Sequence, residues 1–495
     1  MRAIFITAPL VLLAACSSSA DTGRVLAPPT SITASLPSSP TESPAIVPEG
    51  MTVPLIAWNR EQRLFELALV DPATGNPIPD RLPMRLTEKT SHDPTLALSP
   101  DGSRLAVLTG VGSACEHSGI GTACRLASDE LRLIDLRTGR EAITNLPTQP
   151  PAKGWADPLA FSVDGKRLAL AYHDRTGTTA FLFDAATGQL LGRQALTIRP
   201  RLMEFTADGA WVVAYGSPLA ELPTFTQPGP PSALLMDGET LELKWSVVLP
   251  DILDGGWCQE NCTIDRVANS ESGRLVYWSP ALAFDPEAGR LQIVHADENR
   301  LTTVDVLNRS LRSHTIGRAP TWIERLLALT AEVAEAKGWP EGATKSAVLS
   351  PDGTRLYIVG QTFSRSKDVE GNWQGTSQPL GLTVVETRTG YELVARESGA
   401  SRIRMSGDSR YLILDWALDG SIEMLEAESL RVVSRVEDWS WDVVSSRRLG
   451  GQPVLLATQY GEAPKPTLMA MLAPGTFALQ QPWSVSGLAF WVPSP

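Results

Sequence analysis

Through most of the chain, one pattern of apolar and polar positions recurs. A short apolar run leads into a turn of Asp-Gly character, and a second apolar run follows. The first copy is Leu96-Ala97-Leu98, then Ser99-Pro100-Asp101-Gly102-Ser103, then Arg104-Leu105-Ala106-Val107-Leu108. Further copies centre on Asp164-Gly165, Asp208-Gly209, Glu287-Ala288-Gly289 and Asp352-Gly353, with a degenerate one at Ser406-Gly407-Asp408-Ser409. Asp-Gly between apolar runs predicts a β-hairpin, because both residues tolerate the positive φ that tight turns need.

A second motif follows the first. Its good copies are Ile134-Asp135-Leu136-Arg137-Thr138-Gly139, Phe183-Asp184-Ala185-Ala186-Thr187-Gly188, Val385-Glu386-Thr387-Arg388-Thr389-Gly390 and Val70-Asp71-Pro72-Ala73-Thr74-Gly75. Weaker copies lie at Asp237, Asp305 and Glu426. Each reads as a strand end, a turn and an outer strand. Two hairpins make a four-stranded antiparallel unit, and such units arrayed about an axis predict an all-β fold, the β-propeller. Inner strands are expected near 95, 158, 202, 280, 347, 402 and 441, with an eighth from Ser484 to Val492. That last strand has no chain left to complete its unit, whereas residues 53–84 supply three strands without an inner one. The two ends are therefore expected to complete each other in a ring of eight blades. Seven is the alternative, because 441–480 lacks both turn motifs. These motifs resemble those of the bacterial Ser-Pro-Asp-Gly propellers, the YVTN, TolB-like and WD40-like repeat families, over residues 53–492.

Composition agrees with a turn-rich body: 39 Gly and 38 Pro in 495 residues, 43% hydrophobic and 20% charged. The net charge of −12 opposes binding of nucleic acid through its phosphates and adhesion to anionic membranes by charge alone.

The first residues read as a targeting signal. Met1-Arg2 is a short positive region and Ala3 to Leu12 an apolar one, too short to span a bilayer. Leu13-Ala14-Ala15-Cys16 follows and resembles the bacterial lipoprotein signal. The resemblance implies cleavage before Cys16, lipidation of that residue and anchoring in a bilayer, facing outside the cytoplasm. With Ser17 next, it implies the outer membrane where the organism has one. Residues 1–15 are then the signal peptide. Residues 16–52 are the lipidated Cys and a tether in which Ser, Thr and Pro fill 18 of the 34 positions 17–50. Residues 53–495 are the propeller.

In a propeller blade the a–b and c–d turns share one face of the disc, and the b–c and d–a connections share the other. Here the first set is short everywhere. The insertions 111–129, 217–231, 251–277, 318–344 and 361–380 all fall in the second. They hold 108 residues and carry −6 of the net charge, together with Trp257, Trp322, Trp339 and Trp373. Loops on a rigid scaffold often carry function, so this face is the candidate binding face. An acidic, Trp-bearing surface suits a cationic, carbohydrate-like or protein partner; equally, these Trp residues can pack the loops down. The segment 318–344 predicts a helix with a Thr321/Glu324 capping box that ends at Gly338.

With Cys16 assigned to lipid, four cysteines remain in an oxidising compartment. Cys115 with Cys124 and Cys258 with Cys262 are expected as loop-local disulfides, with cross-pairing or a metal half-site at Cys258/Cys262 as alternatives. No His-Glu-x-x-His or Gly-x-Ser-x-Gly motif occurs. His173 and His295 begin short b–c loops on the insertion face. The expected protein is a monomeric, non-enzymatic binding or scaffold propeller with no cofactor and no metal. The alternative is a propeller hydrolase or lyase with its site at the channel mouth.

Overall fold

The computed structural model describes residues 53–491 apart from 60–63, 72–75, 77–83, 89–94, 119–120, 147–154, 175–176, 219–228, 259–274, 318–341, 368–372, 407, 416–420, 438–444, 450–451, 460–466, 473–482 and 486–488. The lipobox, the tether, the helix predicted from Thr321 to Gly338, Cys262, Trp322 and Trp339 lie outside the described residues.

Among the described residues there are only strands, and they form eight sheets. The chain begins with β1 (Val53–Asn59), β2 (Leu64–Val70) and β3 (Met84–Glu88). A second sheet holds β4 (Thr95–Leu98), β5 (Arg104–Ser118), β6 (Gly121–Asp135) and β7 (Glu141–Asn145). A third holds β8 (Trp155–Phe161), β9 (Arg167–Asp174), β10 (Gly177–Asp184) and β11 (Leu190–Leu196). A fourth holds β12 (Arg199–Phe205), β13 (Trp211–Ser217), β14 (Ser232–Asp237) and β15 (Leu243–Val248). A hairpin of β16 (Gly255–Cys258) and β17 (Leu275–Ser279) precedes the fifth, which holds β18 (Ala281–Asp285), β19 (Arg290–Val294), β20 (Arg300–Asp305) and β21 (Ser310–Thr315). The sixth contains β22 (Gly342–Leu349), β23 (Arg355–Lys367), β24 (Trp373–Pro379), β25 (Leu382–Glu386) and β26 (Glu392–Arg396). The seventh holds β27 (Arg402–Met405), β28 (Tyr411–Asp415), β29 (Ile422–Glu426) and β30 (Val432–Val436), and the eighth β31 (Ser445–Leu449), β32 (Gln452–Gln459), β33 (Thr467–Leu472) and β34 (Trp483–Val485). The final strand, β35 (Ala489–Trp491), pairs antiparallel with β1 and becomes the inner edge of the first sheet. Four-stranded antiparallel blades of this kind make a β-propeller.

The expected C-terminal strand 484–492 is thus divided. Trp483–Val485 is the outer strand of the eighth sheet, and only Ala489–Trp491 closes the ring. The reason is strand supply: β31 to β33 give that sheet three strands, and the next segment of chain is its fourth.

Alternating burial explains how the sheets stack. Along β9, Leu168 and Leu170 pack with Leu131, Leu133, Phe181 and Phe183 on one side, while Ala169 and Ala171 pack with Met203, Phe205 and Val212 on the other. Successive side chains of a strand point to opposite faces, so one strand feeds two inter-sheet cores. Middle strands are therefore apolar throughout, as in the buried run of β13. The outer strand β15, covered less, alternates exposed and half-buried positions.

Five of the a–b turns share one set of hydrogen bonds, whereas in the β18–β19 turn Asp285 Oδ1 accepts from the Glu287 and Ala288 amides. Ser162 Oγ donates to Asp164 Oδ1 at 2.6 Å and accepts from the Arg167 amide at 3.0 Å, and Asp164 Oδ1 accepts from the Lys166 amide at 3.1 Å. Ser99/Asp101, Thr206/Asp208, Ser350/Asp352 and Ser406/Asp408 repeat the side-chain bond. The residue after Asp has positive φ: 70° at Gly102, 66° at Gly165, 67° at Gly209 and 66° at Gly353. In the degenerate copy Ser409 takes the same conformation at 61°. The c–d turns likewise place Gly139, Gly188 and Gly390 at 71–73°, with Leu241, Arg309 and Leu430 filling the equivalent place at 62°, 51° and 57° in the weaker copies. The turn geometry persists where the glycine does not.

Candidate functional site

Two of the insertions are β-ribbons rather than irregular loops. β5 and β6 stay paired far beyond their blade, from Arg104↔Asp135 out to Ser118↔Gly121. Cys115 faces Cys124 directly in that register. Directly opposed residues on antiparallel strands have Cα atoms ~4.5–5.5 Å apart, inside the range a disulfide spans. In the sixth sheet, β23 pairs with β25 only over residues 355–358; its outer half pairs with β24 from Gln361↔Pro379 to Lys367↔Trp373, which places Trp373 at the far end of the second ribbon.

The third described insertion is the β16–β17 hairpin, with Trp257 opposite Val276 and Cys258 opposite Leu275. β17 pairs in parallel with β22 through Tyr277↔Gly342, Trp278↔Ala343 and Ser279↔Thr344. Because β22 is the inner strand of its blade, this places the hairpin on the axis side, at the insertion end of the central channel. Gly342 permits the approach, since a Cβ there would lie 2.2 Å from the Tyr277 carbonyl oxygen.

An ion pair ties the base of the hairpin to the ring. Arg201, at an irregularity in the β12 register, donates from Nη1 to Asp254 Oδ1 at 2.5 Å and from Nη2 to Ser279 Oγ at 2.9 Å. The Asp254 side chain is 3% exposed, and burial raises its pKa against the opposing pull of Arg201. Tyr215 is buried beside it and has its hydroxyl pKa pushed up, chiefly by burial.

His295 lies beneath the face rather than on it, 1% exposed, with Nε2 2.8 Å from Thr302 Oγ1. Burial lowers its pKa to about 4, so the ring is neutral at pH 7. His173, on β9, is half-buried, with Nδ1 3.3 Å from Thr178 Oγ1. The structure does not bring the two together: His173 belongs to the third sheet and His295 to the fifth. Lys345, on β22, donates to the His295 carbonyl at 2.5 Å and to the Glu298 carbonyl at 3.0 Å, and burial lowers its pKa to about 8.

Inside the channel, the inner strands surround a cavity of about 330 Å³. Arg201, Leu202 and Glu204 of β12, Leu282 of β18 and Lys345 of β22 are among its walls. Glu204 opens onto channel solvent but is ringed by protein, and this desolvation pushes its carboxyl up to about 7. The turn motifs concealed these residues. The available signal was three charges, Arg199, Arg201 and Glu204, in the seven-residue strand Arg199–Phe205, beside the apolar Leu202, Met203 and Phe205. Among the described residues no cluster of His, Cys, Asp and Glu is arranged to hold a metal ion. No described helix is long and apolar enough to cross a membrane.

No family model and no curated protein matches the chain. Among solved structures it is similar to a dihydro-heme d1 dehydrogenase, NirN, in complex with DHE: 13% identity over 92% of this chain and 78% of that one, TM-score 0.50. It is also similar to a Dos1 propeller, at 13% identity over 81% and 86% of the two chains with TM-score 0.44. BamB from Moraxella catarrhalis aligns at 12% identity over 77% of this chain and 92% of that one, TM-score 0.40. At 13% identity the likeness to the dehydrogenase is one of fold alone, and the four-stranded antiparallel blades described above make that fold a β-propeller.

Proposed function

We propose that this chain is a lipid-anchored, extracytoplasmic propeller of eight blades that binds a protein or carbohydrate-like partner through its insertion-bearing face, without catalysing a reaction. One observation carries the reading. The β5–β6 ribbon, the β23–β24 ribbon and the β16–β17 hairpin all leave the same end of the disc, at b–c and d–a connections. Chain entry at β1 and exit from β35 lie at the other end, because Leu55 pairs with Trp491 and Ala57 with Ala489. A tether joined to Val53 holds the short-turn face toward the bilayer, and the ribbons then look outward. The sequence Leu13-Ala14-Ala15-Cys16 supports the anchor, and the Cys115↔Cys124 register supports a disulfide that stiffens one ribbon.

Photocrosslinking in cells tests this. A photoreactive residue at Thr376, exposed on the second ribbon, should give partner adducts, and one at Val163, 51% exposed in a short turn, should not. Adducts at Val163 alone would reverse the orientation. In parallel, Cys16→Ala should move the protein from the membrane to the soluble fraction, and retention at wild-type level would refute the anchor.

A further inference from the structure

We propose that the channel cavity between β12, β18 and β22 is a binding site for a small zwitterion of the α-amino acid class, its ammonium meeting Glu204 and its carboxylate meeting Lys345. This does not depend on what the insertion face binds. Glu204 sits in a strand whose neighbours Met203 and Phe205 are buried between sheets, so its own side chain is left to the channel. Among the described residues, neither a cation nor a hydrogen-bond donor pairs with its carboxyl; only desolvation acts on it. Glu204 therefore presents an exposed carboxylate with no protein partner to the channel, and an axis that served packing alone would be lined with apolar side chains.

The nearby cations are otherwise engaged. Arg201 is neutralised by Asp254 and fixed by Ser279, with Tyr215 and Tyr277 also facing it. The Lys345 ammonium is held by two backbone carbonyls, which leaves one of its three donors, and Asp297 and Glu298 face it. Glu204 and Lys345 therefore line one cavity without pairing, as opposite charges at two places on its wall. A plain amine would satisfy Glu204 but confront Lys345, and a plain carboxylate would do the reverse. A zwitterion satisfies both. Leu202 and Leu282 give an aliphatic side chain an apolar wall. A volume of about 330 Å³ is at the low end of small-molecule sites, ~300–1,000 Å³, and fits a ligand of this size.

Isothermal titration of the intact purified chain with the proteinogenic α-amino acids at pH 7.5 tests the proposal. The controls are 3-methylbutylamine and 4-methylpentanoate, which are leucine without its carboxylate and without its amine. At least one amino acid should bind, and both single-charge controls should bind about tenfold more weakly or not at all, since each lacks one of the two charge-assisted hydrogen bonds. Glu204→Gln and Lys345→Met should each weaken binding about tenfold or more. Affinity should fall below pH about 7, as Glu204 takes up a proton, and above about 8, as Lys345 loses one. Glu204→Gln alone suffices if Lys345→Met fails to fold. No heat from any amino acid overturns the proposal, as does equal binding of a single-charge control or unchanged affinity in Glu204→Gln. Loss of the insertion-face crosslinks would leave it standing.

Discussion

Replacing Ser162 with Ala tests the turn network at one hydroxyl. The Ser162 side chain is fully buried; it donates to Asp164 Oδ1 at 2.6 Å and accepts from the Arg167 amide at 3.0 Å. The substitution deletes both bonds and leaves the Arg167 N–H without its acceptor. Each bond contributes ~0.5–1.5 kcal/mol net, and a buried donor left unpaired costs ~1–3 kcal/mol, so a loss of about 2 kcal/mol is expected. Amide exchange in a peptide spanning residues 160–168 should speed up roughly tenfold to thirtyfold, since ~1.4 kcal/mol is a factor of ten, and the urea midpoint should fall. The effect also has a pH signature. The Ser162 hydrogen bond is the main cause of the lowered pKa of Asp164. A carboxylate with a depressed folded pKa stabilises fully above its unfolded value, ~3.9, and that stabilisation is lost as pH falls through the folded value. The difference between wild type and Ser162→Ala should therefore be largest near neutral pH and shrink below about pH 4. Unchanged exchange with an unchanged midpoint would refute the reasoning, as would a difference that grows with acidity.

Two further outcomes follow from the ring and its turns. A chain ended after Val485 keeps β34 but lacks β35; it loses three cross-strand pairs and uncovers the β1 edge at the buried Leu55 and Ile56, so it should lose about 2–4 kcal/mol of urea stability. A chain ended after Trp491 is the control, and equal midpoints for the two would show that β35 does not close the ring. Arg309→Gly, at an exposed position with φ of 51°, should stabilise by about 0.5 kcal/mol, because glycine removes a left-handed strain of ~1–2 kcal/mol and gives part of it back as unfolded-state entropy; a lowered midpoint would contradict this.

Repetition made the fold legible in the sequence. Asp-Gly turns such as Asp101-Gly102 and Asp352-Gly353 act over four or five residues, through a side-chain acceptor and a permitted positive φ, so local chemistry alone marks the hairpins. The placement of every long insertion at b–c or d–a connections also followed from counting strands, and so did the completion of the first sheet by the C-terminal end. The rest depended on contacts that local pattern does not encode. Nothing around Trp483 shows that Trp483–Val485 would join β33 rather than β1, because that choice rests on which sheet still lacks a strand. Nor could the sequence show that 111–129 and 361–380 continue as paired ribbons, or that β17 crosses to β22 in parallel, since pairing partners there are set by approach in space. His295 looked like a surface loop residue, and its burial against Thr302 comes from the packing of its own blade. Arg201, Glu204 and Lys345 lie up to 144 residues apart, and only the packing of the blades brings them to one cavity, where the surrounding protein shifts the carboxyl of Glu204 up and burial shifts the ammonium of Lys345 down.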